Sequence, residues 1–272
     1  MEKILATGIS GTIGSKLPKS VLPLILDLSE EFTQDSELTN AKAVIHLAGV
    51  VGNVNVLKDP DYAYKVNVIG TMNLAKMIAN YTDAKFIYVS SSHVYKKSLT
   101  KHLESSDVEP ISVYAEQKAR GEQEVIEIFK NCPERLIIIR VFSLLDWTLP
   151  DFTLGGMARK IYTAQSQNKI KFSDDVRDFL SSRDVANGIY KISADKYVSG
   201  IINLCTGKEK SVGSAIEEMF SHTNFEGIKP LLEPGNSETP YIVGDNSKLL
   251  NLFPDQNLNW DSKFGVEALP HP

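Results

Sequence analysis

The sequence predicts an α/β protein, a doubly wound parallel sheet with a small C-terminal lobe. Three observations predict it. Short, nearly continuous apolar runs alternate with longer helical patterns through the first half of the chain. Their order, strand–helix–strand repeated, implies parallel strands with helices on both faces. After Leu144 the pattern changes: loops lengthen and Pro150, Pro230, Pro234, Pro240 and Pro254 recur.

Five segments read as buried strands: Ile4–Thr7, Ala43–Leu47, Phe86–Ser90, Leu136–Val141 and Ile201–Leu204. Residues Asp61–Tyr81, Tyr114–Lys130 and Asp184–Ser193 carry helical patterns. Residues 1–143 and 178–206 are assigned to the sheet domain, and 144–177 with 207–272 to the lobe. The lobe is expected to shape a pocket over the sheet's carboxyl edge, where open α/β sheets bind ligands.

The first strand runs into "ATGISGTIGSKLP", Ala6 to Pro18. Glycines at 8, 11 and 14 permit a tight turn and close backbone approach, and the N–H groups that follow suit a pyrophosphate. Directly after a strand, this is the Rossmann-type context for a dinucleotide, with Ser10, Thr12 and Ile13 completing the turn. Pro18 excludes the usual long helix, since proline beyond the first helical turn costs about 3 kcal/mol. The helix is therefore very short or begins near Leu17. Next, "SVLPLILDLSEEF" predicts one strand ending at Asp27. An acid near this count holds an adenosine ribose in such folds; Asp27 either does so or caps the following turn.

The strand Phe86–Ser90 leads into "SSSHVY", residues 90–95. Later "YAEQK" places Tyr114 and Lys118 four apart at a helix start, hence on one face. An ammonium beside a phenol lowers its pKa from about 10. A tyrosine so tuned exchanges a proton with a hydroxyl or ketone while hydride moves to or from a nicotinamide. A serine at the strand end can hold the same oxygen.

With these motifs in this order, the chain resembles an extended short-chain dehydrogenase/reductase. The resemblance is to the NAD-dependent epimerase/dehydratase kind that acts on nucleotide sugars. "TGISGTIG" is similar to that family's glycine motif, and "VIHLAG" to the strand whose end, Leu47, Ala48 and Gly49, lies against the cofactor. "VNVIGTMNLA" resembles the helix carrying the family's asparagine, here Asn67. "FIYVSSSHVY" implies a catalytic serine at Ser91, and "YAEQK" supplies Tyr114 and Lys118. "VRDFLSSRDVANGI" resembles a segment of the sugar-nucleotide members and implies that Arg177 reaches the substrate diphosphate. "GIINLCTGKEKSV" resembles the late strand and the turn after it.

The departures also bear on function. The region between Gly14 and Asp27 is much shorter than in the family, as though helix, strand and connecting helix were reduced to one strand. Asp27–Leu28 stands where the family's later Asp-hydrophobic pair touches the adenine. The cofactor is accordingly NAD or NADP. Lys16 and Lys19 either face a 2′-phosphate or are solvated. Dehydratases of the family carry an Asp–Glu pair where this chain has Ser92 and His93, which excludes paired-carboxylate chemistry. His93 is either a substrate contact or a surface residue. Ser143 replaces an asparagine that contacts substrate, and "ETPYIVGDNSKL" lacks the upstream arginine that grips the nucleotide ribose.

The resemblance implies reduction of a 4-keto-deoxy-sugar on a nucleotide, with Tyr114 as proton donor, Ser91 orienting the carbonyl and Lys118 holding the ribose. The alternative is a nucleotide-sugar 4-epimerase using the same residues. A non-catalytic cofactor sensor fits less well, because all three residues are kept. The helices Asp61–Tyr81 and Tyr114–Lys130 resemble those through which relatives dimerise, so a homodimer is expected.

Charge and composition limit the partners. With a net charge of −5 and dispersed basic residues, nucleic acid is a poor partner. Runs such as "VLPLIL" and "LIIIRVF" are too short to cross a bilayer. "KILAT" has no signal-peptide pattern, and the 2 cysteines, Cys132 and Cys205, fit a reducing compartment. A cytoplasmic protein without membrane partners is expected.

Overall fold

A computed structural model describes residues 3–30, 38, 40–164, 169–173, 175–223, 231–235 and 241–254. The chain divides into two compact units. The first comprises residues 1–96, 104–141 and 186–204; the second comprises 97–103, 142–185 and 205–272. Residues 178–185, grouped with the sheet on sequence, belong to the second unit. There Asp178 N–H donates to Ile242 O and Asp178 O accepts from Ser143 N–H, so the backbone is bonded within that unit.

The first unit is built on a six-stranded parallel sheet. Its first five strands are β1 (Lys3–Thr7), β2 (Val21–Pro23), β3 (Ala41–His46), β4 (Lys85–Ser91) and β5 (Leu136–Val141). The sixth, Gly200–Leu204, lies beside β5, and the spatial order runs from it through β5, β4, β3 and β1 to β2 at the far edge. The helices of this unit include α1 (Asn53–Val56), α2 (Pro60–Tyr64), α3 (Thr71–Tyr81) and α4 (Val113–Ile128). Leu5, Val44, Phe86 and Ile138 from the strands pack with Leu74 and Ile78 of α3 and Val125 of α4. Phe129, just past α4, stacks on Phe86 at 5.8 Å. Arg135 gathers the carbonyls of Ile78, Thr82 and Ala84, closing the C-terminal end of α3 before β5 begins.

Two sequence expectations need correction. The run predicted as one strand to Asp27 is a three-residue strand ending at Pro23, although Leu24 N–H still reaches Ala6 O at 2.8 Å. Beyond it Ile25 is 83% exposed, so apolar character there reflects a sheet edge and not a buried strand. The predicted helix Asp61–Tyr81 is one continuous run interrupted by a π-helical segment, Lys65–Gly70, between α2 and α3. Such insertions frequently accompany functional sites.

In the second unit, Val176–Arg177 pairs with Lys210–Ser211 and Tyr241–Ile242. Trp147, Tyr162, Phe179, Ile216 and Phe220 form its core. Among the described residues no helix is long and apolar enough to cross a membrane.

Candidate active site

The glycine turn follows β1. Gly8 has φ +67°, and a Cβ there would lie 2.6 Å from Ala48 N, so only glycine fits. Gly11 N–H donates to Gly8 O at 3.0 Å, closing the turn. A Cβ on Gly14 would land on Gly8 O and 2.6 Å from Ile9 Cα. Gly11 has more room, its nearest atom being Gly8 O at 3.2 Å. The helix that follows is one 3-10 turn, Gly14–Lys16, and Leu17 before Pro18 is already extended at ψ 149°. The N–H groups of Thr12, Ile13 and Gly14 have no acceptor among the described residues. This cradle fits a dinucleotide pyrophosphate through backbone donors, without a long helix behind them.

The β3 end is held against this turn. Ala48 N–H donates to Thr7 Oγ1 at 3.2 Å, and Thr7 Oγ1 lies 2.8 Å from His46 Nδ1. His46 Nε2 lies 2.9 Å from Thr71 Oγ1, which gives its own proton to Asn67 O. Only one assignment satisfies every partner: Thr7 donates to Nδ1, and Nε2 carries the hydrogen. Burial pulls His46 down to about 3, so this neutral tautomer is the form present.

Asn67 lies in the π-helical segment. Its amide accepts from Val50 N–H at 2.8 Å and donates to Val50 O and Gln117 Oε1. Its side chain therefore shapes the Leu47–Val50 loop, which passes so close that a Cβ on Gly49 would meet Asn67 Oδ1 at 2.8 Å. Asp27 is exposed and uses one carboxylate oxygen to cap Ser29, accepting from its N–H at 2.9 Å and its hydroxyl at 2.7 Å. The turn cap uses Oδ1 and is compatible with either reading of Asp27. Leu28 is buried, with its carbonyl against Gly70.

The proposed catalytic side chains all lie in the first unit. Ser91 ends β4, is 7% exposed and accepts His93 N–H at 3.2 Å. The Ser91 side chain acts on the Tyr114 phenol and favours its ionised form. Ser112 caps α4 by accepting Ala115 N–H, which places Tyr114 in the first turn and Lys118 one turn on. Lys118 Nζ donates to Val89 O at 2.9 Å and lies 4.9 Å over the Tyr88 ring.

The expected acidified phenol is not what this arrangement produces. Burial pushes Tyr114 up to about 12, while the Ser91 hydrogen bond acts the other way. Helical spacing placed Lys118 on the correct face but did not reveal that its ammonium is drawn to a β4 carbonyl. Burial also pulls Lys118 down to about 8, with Glu122 opposing that shift.

The four expected substrate residues fall into different settings. Ser92 is buried beside Ser91, and His93 is exposed. In the second unit, Ser143 N–H donates to Asp178 O at 3.0 Å. Arg177 there forms an ion pair with buried Asp175. Asp175 Oδ1 itself is buried without a hydrogen-bond partner among the described residues.

Sequence reasoning passed over Ser90, Glu122 and Arg140, which form a buried cluster behind the catalytic side chains. Two signals pointed to it: Arg140 is a charge inside the apolar run "LIIIRVF", and Glu122 stands four residues past Lys118.

Known proteins resemble the chain over most of its length. Residues 4–205 match the profile of the NAD dependent epimerase/dehydratase family. The chain is 28% identical over 275 residues to GDP-6-deoxy-D-talose 4-dehydrogenase of Aggregatibacter actinomycetemcomitans, covering 92% of this chain and 91% of that protein. It is 28% identical over 273 residues to GDP-6-deoxy-D-mannose reductase of Pseudomonas aeruginosa, covering 91% and 90%. The solved structure of RMD from Pseudomonas aeruginosa complexed with NADPH shares the fold, with a TM-score of 0.82 at 23% identity over 97% of each chain.

Proposed function

The chain belongs to the NAD dependent epimerase/dehydratase family, and we propose that it reduces the keto group of a nucleotide-linked deoxy-sugar, with NAD(P)H as the reductant. One observation supports this reading most: Ser91 at the end of β4 and Tyr114 and Lys118 one turn apart on α4 all lie in one unit. A reductase needs a proton donor at that position, whereas oxidation of an alcohol needs a base.

When bound, the cofactor supplies hydride to the carbonyl carbon. The chain's own residues manage the oxygen. Ser91 and Tyr114 are assigned as two hydroxyl donors to a carbonyl oxygen placed between them. Tyr114 then gives up its proton as alkoxide character develops, and the Lys118 ammonium one turn away, bonded to the Val89 carbonyl before substrate arrives, is the group assigned to stabilise the phenolate left behind. Arg177, in the second unit, is the residue proposed for the diphosphate, a dianion suited to a guanidinium. The similarity of the full chain to a GDP-6-deoxy-D-mannose reductase supports the substrate class. Exposed Tyr62, Tyr64 and Ile126, on helices like those expected to pair, support a homodimer.

Among the described residues, only the single 3-10 turn after Gly14 and the short edge strand β2 follow the glycine turn before β3, few elements to hold the adenosine half of a cofactor. That suits a cofactor which enters and leaves with every turnover. The purified protein is therefore expected to carry no bound cofactor and to consume NADH or NADPH stoichiometrically with a 4-keto-6-deoxy sugar nucleotide. Purification with tightly held NAD, and turnover without added cofactor, would identify a 4-epimerase instead. Arg177→Ala is expected to raise the KM of the sugar nucleotide about 10-fold or more while cofactor affinity stays within about threefold, the mark of lost substrate binding. Equal losses in both, measured by steady-state kinetics and NADPH fluorescence, would remove Arg177 from this role.

A further inference from the structure

Glu122 lies on α4, one turn past Lys118 and two past Tyr114, and is 4% exposed. Both of its carboxylate oxygens are engaged. Oε1 accepts from Ser90 Oγ at 2.5 Å and Arg140 Nε at 3.0 Å, and Oε2 accepts from Arg140 Nη2 at 2.6 Å. Ser90 is the residue immediately before Ser91 on β4, and Arg140 lies on the neighbouring strand β5, in register with Ser90. Arg140 is fixed in turn: Nη1 donates to Glu104 O at 3.2 Å, and its guanidinium lies 4.5 Å over the Tyr95 ring.

We propose that Glu122 is a positioning residue of the catalytic apparatus, fastening the helix that carries Tyr114 and Lys118 to the strand end that carries Ser91, and setting a fixed negative charge one turn from the Lys118 ammonium. The inference rests on the reading of Ser91, Tyr114 and Lys118 as the catalytic side chains. It adds a cause for their convergence.

The geometry supports both parts. The Ser91–Tyr114 pair spans two elements, α4 and β4, and only a few polar bonds set the register between them. Lys118 Nζ to Val89 O is one, and Ser90 Oγ to Glu122 Oε1 is another. With Tyr88 Oη to Lys118 O as a third, these bonds tie the stretch of β4 just before Ser91 to the part of α4 just past Tyr114, so removing one loosens α4 against β4. The charge matters because burial disfavours the Lys118 ammonium, and the Val89 carbonyl, the Tyr88 ring and neutral His46 beside it carry no negative charge to offset that. Glu122 is the buried anion that opposes that burial. A two-point carboxylate–guanidinium pair is rigid, which suits a positional role better than a single contact would.

Two variants test the proposal. Ser90→Ala removes the tie to β4 and leaves the Glu122–Arg140 pair in place. Glu122→Gln keeps the shape of the side chain and removes its charge. For Ser90→Ala, kcat per folded molecule is expected to fall about 10- to 100-fold, because a displacement near 1 Å between reacting groups carries a penalty of that order. The sugar-nucleotide KM and the NADPH dissociation constant should stay within about threefold, since binding groups are untouched. Amide hydrogen exchange at residues 113–118 should quicken. Glu122→Gln is expected to lower kcat at least as much, along with the melting temperature, since Arg140 loses its counter-ion. A merely structural role predicts a lower melting temperature with kcat per folded molecule unchanged, and that outcome in Ser90→Ala overturns the proposal. Rates are compared in whichever turnover the unmodified protein performs, reduction or epimerisation. If it performs neither, the functional reading fails separately. Exchange at 113–118 then decides: faster in Ser90→Ala sustains the positioning role, and unchanged exchange overturns it.

Discussion

Tyr114→Phe is expected to lower kcat for keto-sugar reduction by about 100- to 10,000-fold, the range for removal of a positioned proton donor. The ring still fills its place at the start of α4, so NADPH affinity and melting temperature should change little. The loss is confined to the hydroxyl on which Ser91 acts. Stopped-flow oxidation of NADPH under saturating substrate measures it directly. Turnover near the unmodified rate would show that the proton comes from elsewhere.

The same two groups fix the pH dependence. Tyr114, raised to about 12, remains a protonated donor throughout the neutral and mildly alkaline range. Lys118, lowered to about 8, carries its stabilising charge below that pH and loses it above. The profile of kcat/KM, which reports groups in the free enzyme, should therefore be level below about 8 and fall as pH rises through it. No separate loss from Tyr114 should appear before about 12.

Gly14→Ala has the second large expected effect. Its Cβ would overlap Gly8 O and approach Ile9 Cα to 2.6 Å, and both are backbone atoms of the turn itself. The turn must open to admit the methyl group, at a stability cost of about 1–3 kcal/mol. That opening displaces the Thr12, Ile13 and Gly14 N–H groups proposed to hold the pyrophosphate. NADPH binding, followed by fluorescence titration, should weaken by about 100-fold or more, comparable to losing two or three charge-assisted hydrogen bonds. Gly11→Ala meets only Gly8 O at 3.2 Å and should leave the melting temperature nearly unchanged. Equal binding by Gly14→Ala and the unmodified protein would mean that the turn does not contact the cofactor.

The strands carrying the site were legible because both faces of a parallel sheet are covered. Residues such as Ile137, Ile138 and Ile139 must then all be apolar, and a continuous run is unambiguous. Pro18 correctly marked the missing helix, because a backbone without an N–H ends a helix whatever surrounds it. Ile25 misled for the opposite reason. It is apolar and β-branched, but at an exposed sheet edge that composition no longer reports burial. The face shared by Tyr114 and Lys118 followed from helical spacing; the direction of the ammonium did not. Its partner, the Val89 carbonyl, is 29 residues away in sequence. Asn67 illustrates the same limit. Its position on the helix was readable, while the binding of its amide to Val50 and Gln117 depends on elements brought together only by folding.

Isotope transfer probes the centre of this account. With NADPH deuterated on the transferring face of the nicotinamide and a 4-keto-6-deoxy sugar nucleotide, mass spectrometry and NMR should find one deuterium at the newly formed carbinol carbon of the sugar. The label should appear at the rate of cofactor oxidation and be suppressed in Tyr114→Phe. A product that forms without taking up deuterium, while the cofactor stays reduced, would contradict it.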